Sequence, residues 1–221
     1  MIQGIIFDLD GTLIDSEPLW QEAEIMVFEG EGLSLTREDC LKTKGLPSIE
    51  AVKFWHDKLI NPKKEAALLT QELNHAVISI MKEKGELKPG VLHMLDYWKS
   101  KGLPMGIASA SSMAHIKTVV DKFNLHPYFD LIYSGDFEQF GKPHPGIYIS
   151  ACNKLKMDPV YSVAIEDSFN GILAAKSARM KVVALLDEGQ HNDSVYDFSD
   201  LKIESLELFG DKHFNYLASL M

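Results

Sequence analysis

A chain of 221 residues with a formal net charge of −10 at pH 7 has room for one large domain or two modest ones. It lacks the clustered Lys and Arg that nucleic acid or an anionic membrane surface requires, and its 46% apolar and 24% charged residues are those of a soluble globular protein. Cys40 and Cys152 stand far apart without metal-ligand or redox spacing, and neither a cationic leader nor a run of roughly 20 apolar residues appears. Reduced thiols, a cytoplasmic location, no nucleic-acid partner and no membrane partner are therefore expected.

The first element is the stretch IIFDLDGTLID at 5–15. Ile5, Ile6 and Phe7 read as a buried strand, and residues two apart on a strand point to one side, so the carboxylates of Asp8 and Asp10 are expected to share one space. Like charges that close need a cation, a shared proton or full solvation, which leaves a metal site, a proton-sharing site or an open loop.

Residues 16–83 carry helical patterns and no convincing strand; Leu19, Ala23, Met26 and Val27 recur at spacings of three and four. An all-helical insert directly after the first strand implies a second, smaller domain. Its connections, near 15–17 and at 82–90, are short and polar, so the two parts are expected to move relative to one another.

From residue 88 onward, strand-like runs at 103–109, 131–135, 162–167 and 181–185 alternate with helical patterns at 90–102, 112–124, 145–156 and 168–179. The expected fold is α/β: a Rossmann-like parallel sheet with helices on both faces, formed by 1–15 and 84–221, plus the helical cap of 16–83. The segment 187–200 is too polar for core and reads as surface loop with a late edge strand.

Four features fall at the carboxyl ends of predicted strands, where open α/β sheets build their sites: Asp8 and Asp10, Ser109 in GIASAS, Lys142 in GKPHPG, and Glu166 with Asp167 in IEDS. Singly, each is an ordinary loop or capping residue, with Ser168 available as a helix cap. Together and in this order they resemble the haloacid dehalogenase superfamily over essentially the whole chain.

The chemistry of such a site follows from the residue types. With a phosphoryl group present, Asp8 is the nucleophile that takes it up as an aspartyl-phosphate, and Asp10 is the general acid and then base. Gly11 permits the turn beside them. Ser109 and Lys142 bind phosphoryl oxygens, and Asp8, Asp10, Glu166 and Asp167 supply hard oxygen ligands for Mg²⁺. The resemblance further implies a monomer acting on a small phosphorylated metabolite, with the cap contacting the leaving group. The segment TKGLPS at 43–48, where Gly45 and Pro47 break the helical pattern, is its expected contact loop, and Lys44 its candidate substrate contact.

Within the superfamily, DSEPLW, GIASAS and IEDSFNG are most similar to the phosphatases of hexitol and deoxyhexose phosphates. A phosphosugar mutase of the β-phosphoglucomutase type is the alternative. That group, by resemblance, carries a histidine where this chain has Trp20 and an arginine where it has Ser48, and neither replacement does the same work. A dehalogenase has no need of Asp10 or the closing acidic pair. A non-catalytic phospho-acceptor module would use Asp136, but such modules are shorter and lack a helical insert. His144 reads as a loop residue beside Lys142, and Asn170 as a further candidate contact.

Overall fold

The computed structural model describes residues 1–187, 190 and 193–221. After strand β1 (Gly4–Phe7) come four helices without an intervening strand: α1 (Glu17–Gly30), α2 (Arg37–Cys40), α3 (Ser48–His56) and α4 (Ala66–Lys84). The chain then alternates α5 (Val91–Ser100), β2 (Met105–Ser109), α6 (Met113–Lys122), β3 (Leu131–Ser134), α7 (Gly146–Leu155), β4 (Ser162–Glu166), α8 (Phe169–Ser177) and β5 (Lys181–Leu185). An edge strand β6 (Leu201–Ile203) and α9 (Asp211–Ser219) follow.

All strand pairs are parallel, in the order β3-β2-β1-β4-β5-β6. Ile5 of β1 sits opposite Met105 of β2 on one side and Val163 of β4 on the other. The sheet order reverses at β1, so the carboxyl ends of β1, β2 and β4 border one crevice. These three strands are buried along their whole length, which is why they read as unbroken small and apolar runs instead of alternating ones.

Ile5, Phe7, Ile107 and Ile165 pack on one face with α5 and α6, and Ile6, Ala108 and Ala164 on the other with α7 and α8. Apolar residues of α1, α3 and α4, among them Leu19, Val52 and Leu73, belong to the first of these clusters, and α4 packs on α6 as well as on α1 and α3. The helical insert therefore shares its apolar interior with the sheet.

The strands and helices read from residue 88 onward are all present, with ends shifted by a few residues. Two details differ from expectation, and one reading lies partly outside the described residues. Tyr196 is buried against the face covered by α7 and α8, although its surroundings in sequence are polar. Part of the 187–200 loop reading, at 188, 189, 191 and 192, lies outside the described residues. Helix α9 has no counterpart in the sequence reading, because Leu217 is its one fully buried residue and its apolar stripe is thin. Among the described residues no helix is long and apolar enough to cross a membrane.

Candidate active site

Asp8 follows the last residue of β1, its N–H donating to the Ile165 carbonyl of the neighbouring strand at 3.0 Å, and its side chain is buried. Lys142, on the loop between β3 and α7, donates from Nζ to Asp8 Oδ1 at 2.6 Å, to Glu166 Oε1 at 2.6 Å and to the Ala108 carbonyl at 3.3 Å. Glu166 is fully buried at the end of β4. Its Oε1 also accepts from Tyr148 Oη at 2.6 Å, and its Oε2 from the N–H groups of Asp167 and Ser168 and from Ser168 Oγ, at 3.1 to 3.3 Å.

Asp167 accepts from Thr12 Oγ1 at 3.2 Å and packs against Gly11, where a Cβ would overlap its carboxylate and where φ is +78°. Only glycine combines that backbone with that approach. Asp8, Glu166 and Asp167 bring one carboxylate oxygen each within 4.8 Å of one another.

The buried carboxylates of Asp8 and Glu166 share one lysine with the half-buried Asp167 beside them, and the ionisation equilibria reflect it. Burial raises the Asp8 carboxyl well above its usual range; Lys142 opposes this, while Glu166 and Asp167 add to it. Burial and Glu166 push Asp167 up to about 7 against the pull of Lys142. Burial alone would lower the Lys142 ammonium, but Asp8 and Glu166 outweigh it and hold the proton more tightly than usual.

Asp10 is placed differently. The strand ends at Phe7, and hydrogen bonds from the N–H groups of Leu13 and Ile14 to the Leu9 carbonyl turn the chain, so the two-residue alternation does not reach Asp10. Its Oδ2 accepts from Ser111 Oγ at 2.6 Å, and its Oδ1 from Trp20 Nε1 at 3.3 Å and His115 Nε2 at 3.1 Å. The side-chain cluster that could hold a metal comprises Asp8, Glu166 and Asp167, whereas the Asp10 carboxylate, expected among them, is engaged by Ser111, Trp20 and His115. Burial would raise Asp10, but the His115 charge and hydrogen bonds from His115, Ser111 and Ser16 overcome it and hold the carboxyl below its ordinary range.

Asp8, Asp10, Ser109, Lys142, Asp167 and Lys44 all line one cavity of about 700 Å³ between the sheet's carboxyl edge and helices α1 to α4. Ser109 Oγ accepts from the Ser111 N–H at 3.0 Å. The whole 43–48 segment lies on the cap-side wall, and the Lys44 ammonium is 3.7 Å from Asp187, which also pairs with Lys88 at 3.0 Å. Asn170 lines the same space. His144 does not steady Lys142: its Nδ1 accepts from the Gly146 N–H and its ring lies against Phe140. Asp136 accepts from the Met113 N–H at 2.8 Å at the start of α6 and lines the same space.

Sequence reasoning missed His115, Ser111 and Tyr148. Ser111 sits in the quoted GIASAS, and Tyr148 belongs to an apolar helix face, where an aromatic residue reads as core.

Fold and site together define an enzyme of the doubly covered parallel-sheet class, with an acid-and-lysine centre under a helical insert. Residues 5–185 match the family model of haloacid dehalogenase-like hydrolases, and the chain belongs to that family. It is 35% identical over 206 residues to hexitol phosphatase B of Escherichia coli K12, covering 93% of each chain. It is 32% identical over 199 residues to the phosphorylated carbohydrates phosphatase of Thermotoga maritima, covering 86% of this chain and 89% of the other. Among solved structures, CbbY from Rhodobacter sphaeroides in complex with phosphate superposes with a TM-score of 0.87 at 25% identity, covering 99% of this chain and all of that one. A putative β-phosphoglucomutase from Thermotoga maritima superposes with a TM-score of 0.78 at 26% identity, covering all of both chains.

Proposed function

We propose that the protein is a Mg²⁺-dependent phosphatase that hydrolyses small sugar or sugar-alcohol phosphates through an aspartyl-phosphate on Asp8. The observation that carries this reading is the Asp8 carboxylate, fixed by Lys142 at 2.6 Å on the floor of a cavity that Ser109 also lines. Family membership and two phosphatase relatives named for phosphorylated carbohydrates or hexitols support it.

The donor set suits magnesium. Asp8, Glu166 and Asp167 offer only hard oxygens, and one lysine against three carboxylates leaves a deficit of positive charge. Asp8 and Asp167 are the residues to hold the ion, since both oxygens of Glu166 are taken up by Lys142, Tyr148, Ser168 and the Asp167 N–H. Glu166 instead orients Lys142. When bound, magnesium neutralises the phosphoryl oxygens and the acid cluster.

The chain's own groups then carry the two displacements. Lys142 and Ser109 hold phosphoryl oxygens while an Asp8 oxygen attacks phosphorus and the bond to the sugar oxygen breaks. Asp10 gives its proton to that oxygen, so a neutral alcohol leaves. Water next attacks the same phosphorus, Asp10 takes its proton back, the bond to Asp8 breaks, and inorganic phosphate departs.

The leaving group faces the cap, where Gln21, Thr43, Ser48 and Asn74 offer hydrogen bonds suited to a polyol, and where no arginine lines the cavity among the described residues. That wall offers the single ammonium groups of Lys44 and Lys88 but no bidentate clamp for a second phosphate, and the indole of Trp20 donates to Asp10 without relaying a proton, which favours water over a sugar hydroxyl as the phosphoryl acceptor. A panel of phosphorylated metabolites, with phosphate release read in Mg²⁺ and in EDTA, tests the substrate class. β-Glucose 1-phosphate with a catalytic amount of bisphosphate tests the transfer: interconversion to the 6-phosphate exceeding hydrolysis defeats the phosphatase reading and leaves a mutase.

A further inference from the structure

His115 is among the few buried polar side chains of this protein, at 2% exposure in the first turn of α6, and no step of the chemistry above uses it. Its place is set by local structure. Ser112 caps α6 by accepting the His115 N–H on its Oγ, and α6 starts just beyond the carboxyl end of β2, so the imidazole is directed across to the segment that follows β1. There Nε2 meets Asp10 Oδ1 at 3.1 Å, while Trp20 of the cap lies over the ring with centroids 5.8 Å apart.

An ionised carboxylate only accepts, so the Nε2 that faces Asp10 carries a hydrogen. Nδ1, at the far side of the ring, is buried without a hydrogen-bond partner, so the ring's one polar attachment in the structure is Asp10. A buried polar group kept with a single partner is costly unless that contact serves something.

We propose that His115 is a positioning residue for proton transfer to the leaving group, holding the Asp10 carboxylate turned away from the acid cluster and toward the cavity. Ser111 holds Oδ2 at 2.6 Å, and His115 with Trp20 holds Oδ1, so the carboxylate plane is fixed at both oxygens. Trp20 stands on the helical insert, whereas His115 stands on the sheet layer; of the two donors to Oδ1, His115 is the one on the same body as Asp8. Without it, Asp10 keeps one sheet-side tether and swings about it, which penalises only the steps in which its proton moves.

The inference rests on the assignment of Asp8 as nucleophile and Asp10 as acid, and the test separates the two. Enzyme is taken in excess over substrate, with Mg²⁺, and release of the leaving group is timed, so that only the first displacement is read. The leaving group of a hexitol phosphate is an alkoxide that needs a proton; that of p-nitrophenyl phosphate is a stable phenolate that does not. His115→Ala is expected to slow alcohol release about 10- to 100-fold, a part of the full worth of general acid catalysis, and to change nitrophenolate release less than about threefold. His115→Gln, whose amide N–H reaches toward Asp10, is expected to restore alcohol release to within about fivefold of the parent.

Equal slowing on both substrates assigns His115 a merely structural task and overturns the proposal, as does unchanged alcohol release in His115→Ala. Failure of the parent enzyme to cleave either substrate overturns the assignments of Asp8 and Asp10, and the proposal with them.

Discussion

The crowding of Asp8, Glu166 and Asp167 has a consequence for stability that appears before any catalysis. Asp167 is pushed up to about 7 from an ordinary 3.8, so the folded chain keeps a proton that the unfolded chain releases. Its contribution is present in full below 3.8, declines as pH rises through the interval, and is gone above about 7. At about 1.4 kcal/mol per pH unit, that interval amounts to about 4 kcal/mol, an upper bound because Asp8 shares the strain. In EDTA the protein should therefore melt lower at pH 8 than at pH 5.5. Asp167→Asn keeps the acceptor for Thr12 and removes the charge; at pH 8 in EDTA it should gain about 1–4 kcal/mol, seen as a Tm roughly 2–16 °C higher for a chain of this size. Added Mg²⁺ should raise the parent's Tm at pH 8 and leave the variant's nearly unmoved. Melting curves by circular dichroism decide it. A metal-free Tm that is flat from pH 5.5 to 8, or an Asp167→Asn variant less stable than the parent at pH 8, refutes the reasoning.

Asp8→Asn should abolish phosphate release, and Asp10→Asn should lower it by roughly 10²–10⁴-fold, measured on the best substrate of the panel; near-normal turnover in the first removes Asp8 as nucleophile. Lys142→Gln leaves the buried Asp8 and Glu166 carboxylates without their cation and should cost about 3–5 kcal/mol in urea unfolding at pH 8 in EDTA, with less loss at pH 5.5, where the neighbouring Asp167 takes up a proton. Lys44→Ala breaks an exposed ion pair with Asp187 and should change stability by less than about 1 kcal/mol. A raised KM with kcat held would then report a lost contact to the sugar, and an unchanged KM would leave Lys44 a surface residue.

The sheet was legible because burial on both faces forces unbroken apolar or small runs such as GIIF and MGIAS, and helix spacing between such runs leaves few topologies. The cavity's Asp8, Ser109, Lys142 and Asp167 were legible because strand ends mark the crevice of such a sheet. What sequence did not show was orientation. The alternation of side chains holds only while the strand lasts, and β1 stops at Phe7, so the separation of Asp10 from Asp8 depends on a turn whose partners come from α6 and α1. His115 carries no periodic signal: a single histidine at a helix start gains meaning only when Ser112 caps that helix and aims it at Asp10.

Two aspartates two positions apart thus receive opposite surroundings, and the difference orders the reaction. Asp8 lies among acids and is raised, so a cation in addition to Lys142 would favour the ionised form that the proposed nucleophile needs. Asp10 lies among donors and is lowered, so in the empty site its ionised form is favoured. An arriving phosphate acts in the opposite direction: one negative charge about 5 Å away, at an effective dielectric of about 20, is worth up to about 3 kcal/mol, or about two pH units toward protonation. Under the proposed mechanism the substrate thus moves Asp10 toward the protonated form that the first displacement needs, without by itself protonating it at neutral pH. In that mechanism Asp10 is ionised again once the alcohol has left, which is the form that draws a proton from water. Hydrolysis then requires no relay from the cap, and a tryptophan that only donates is sufficient at position 20.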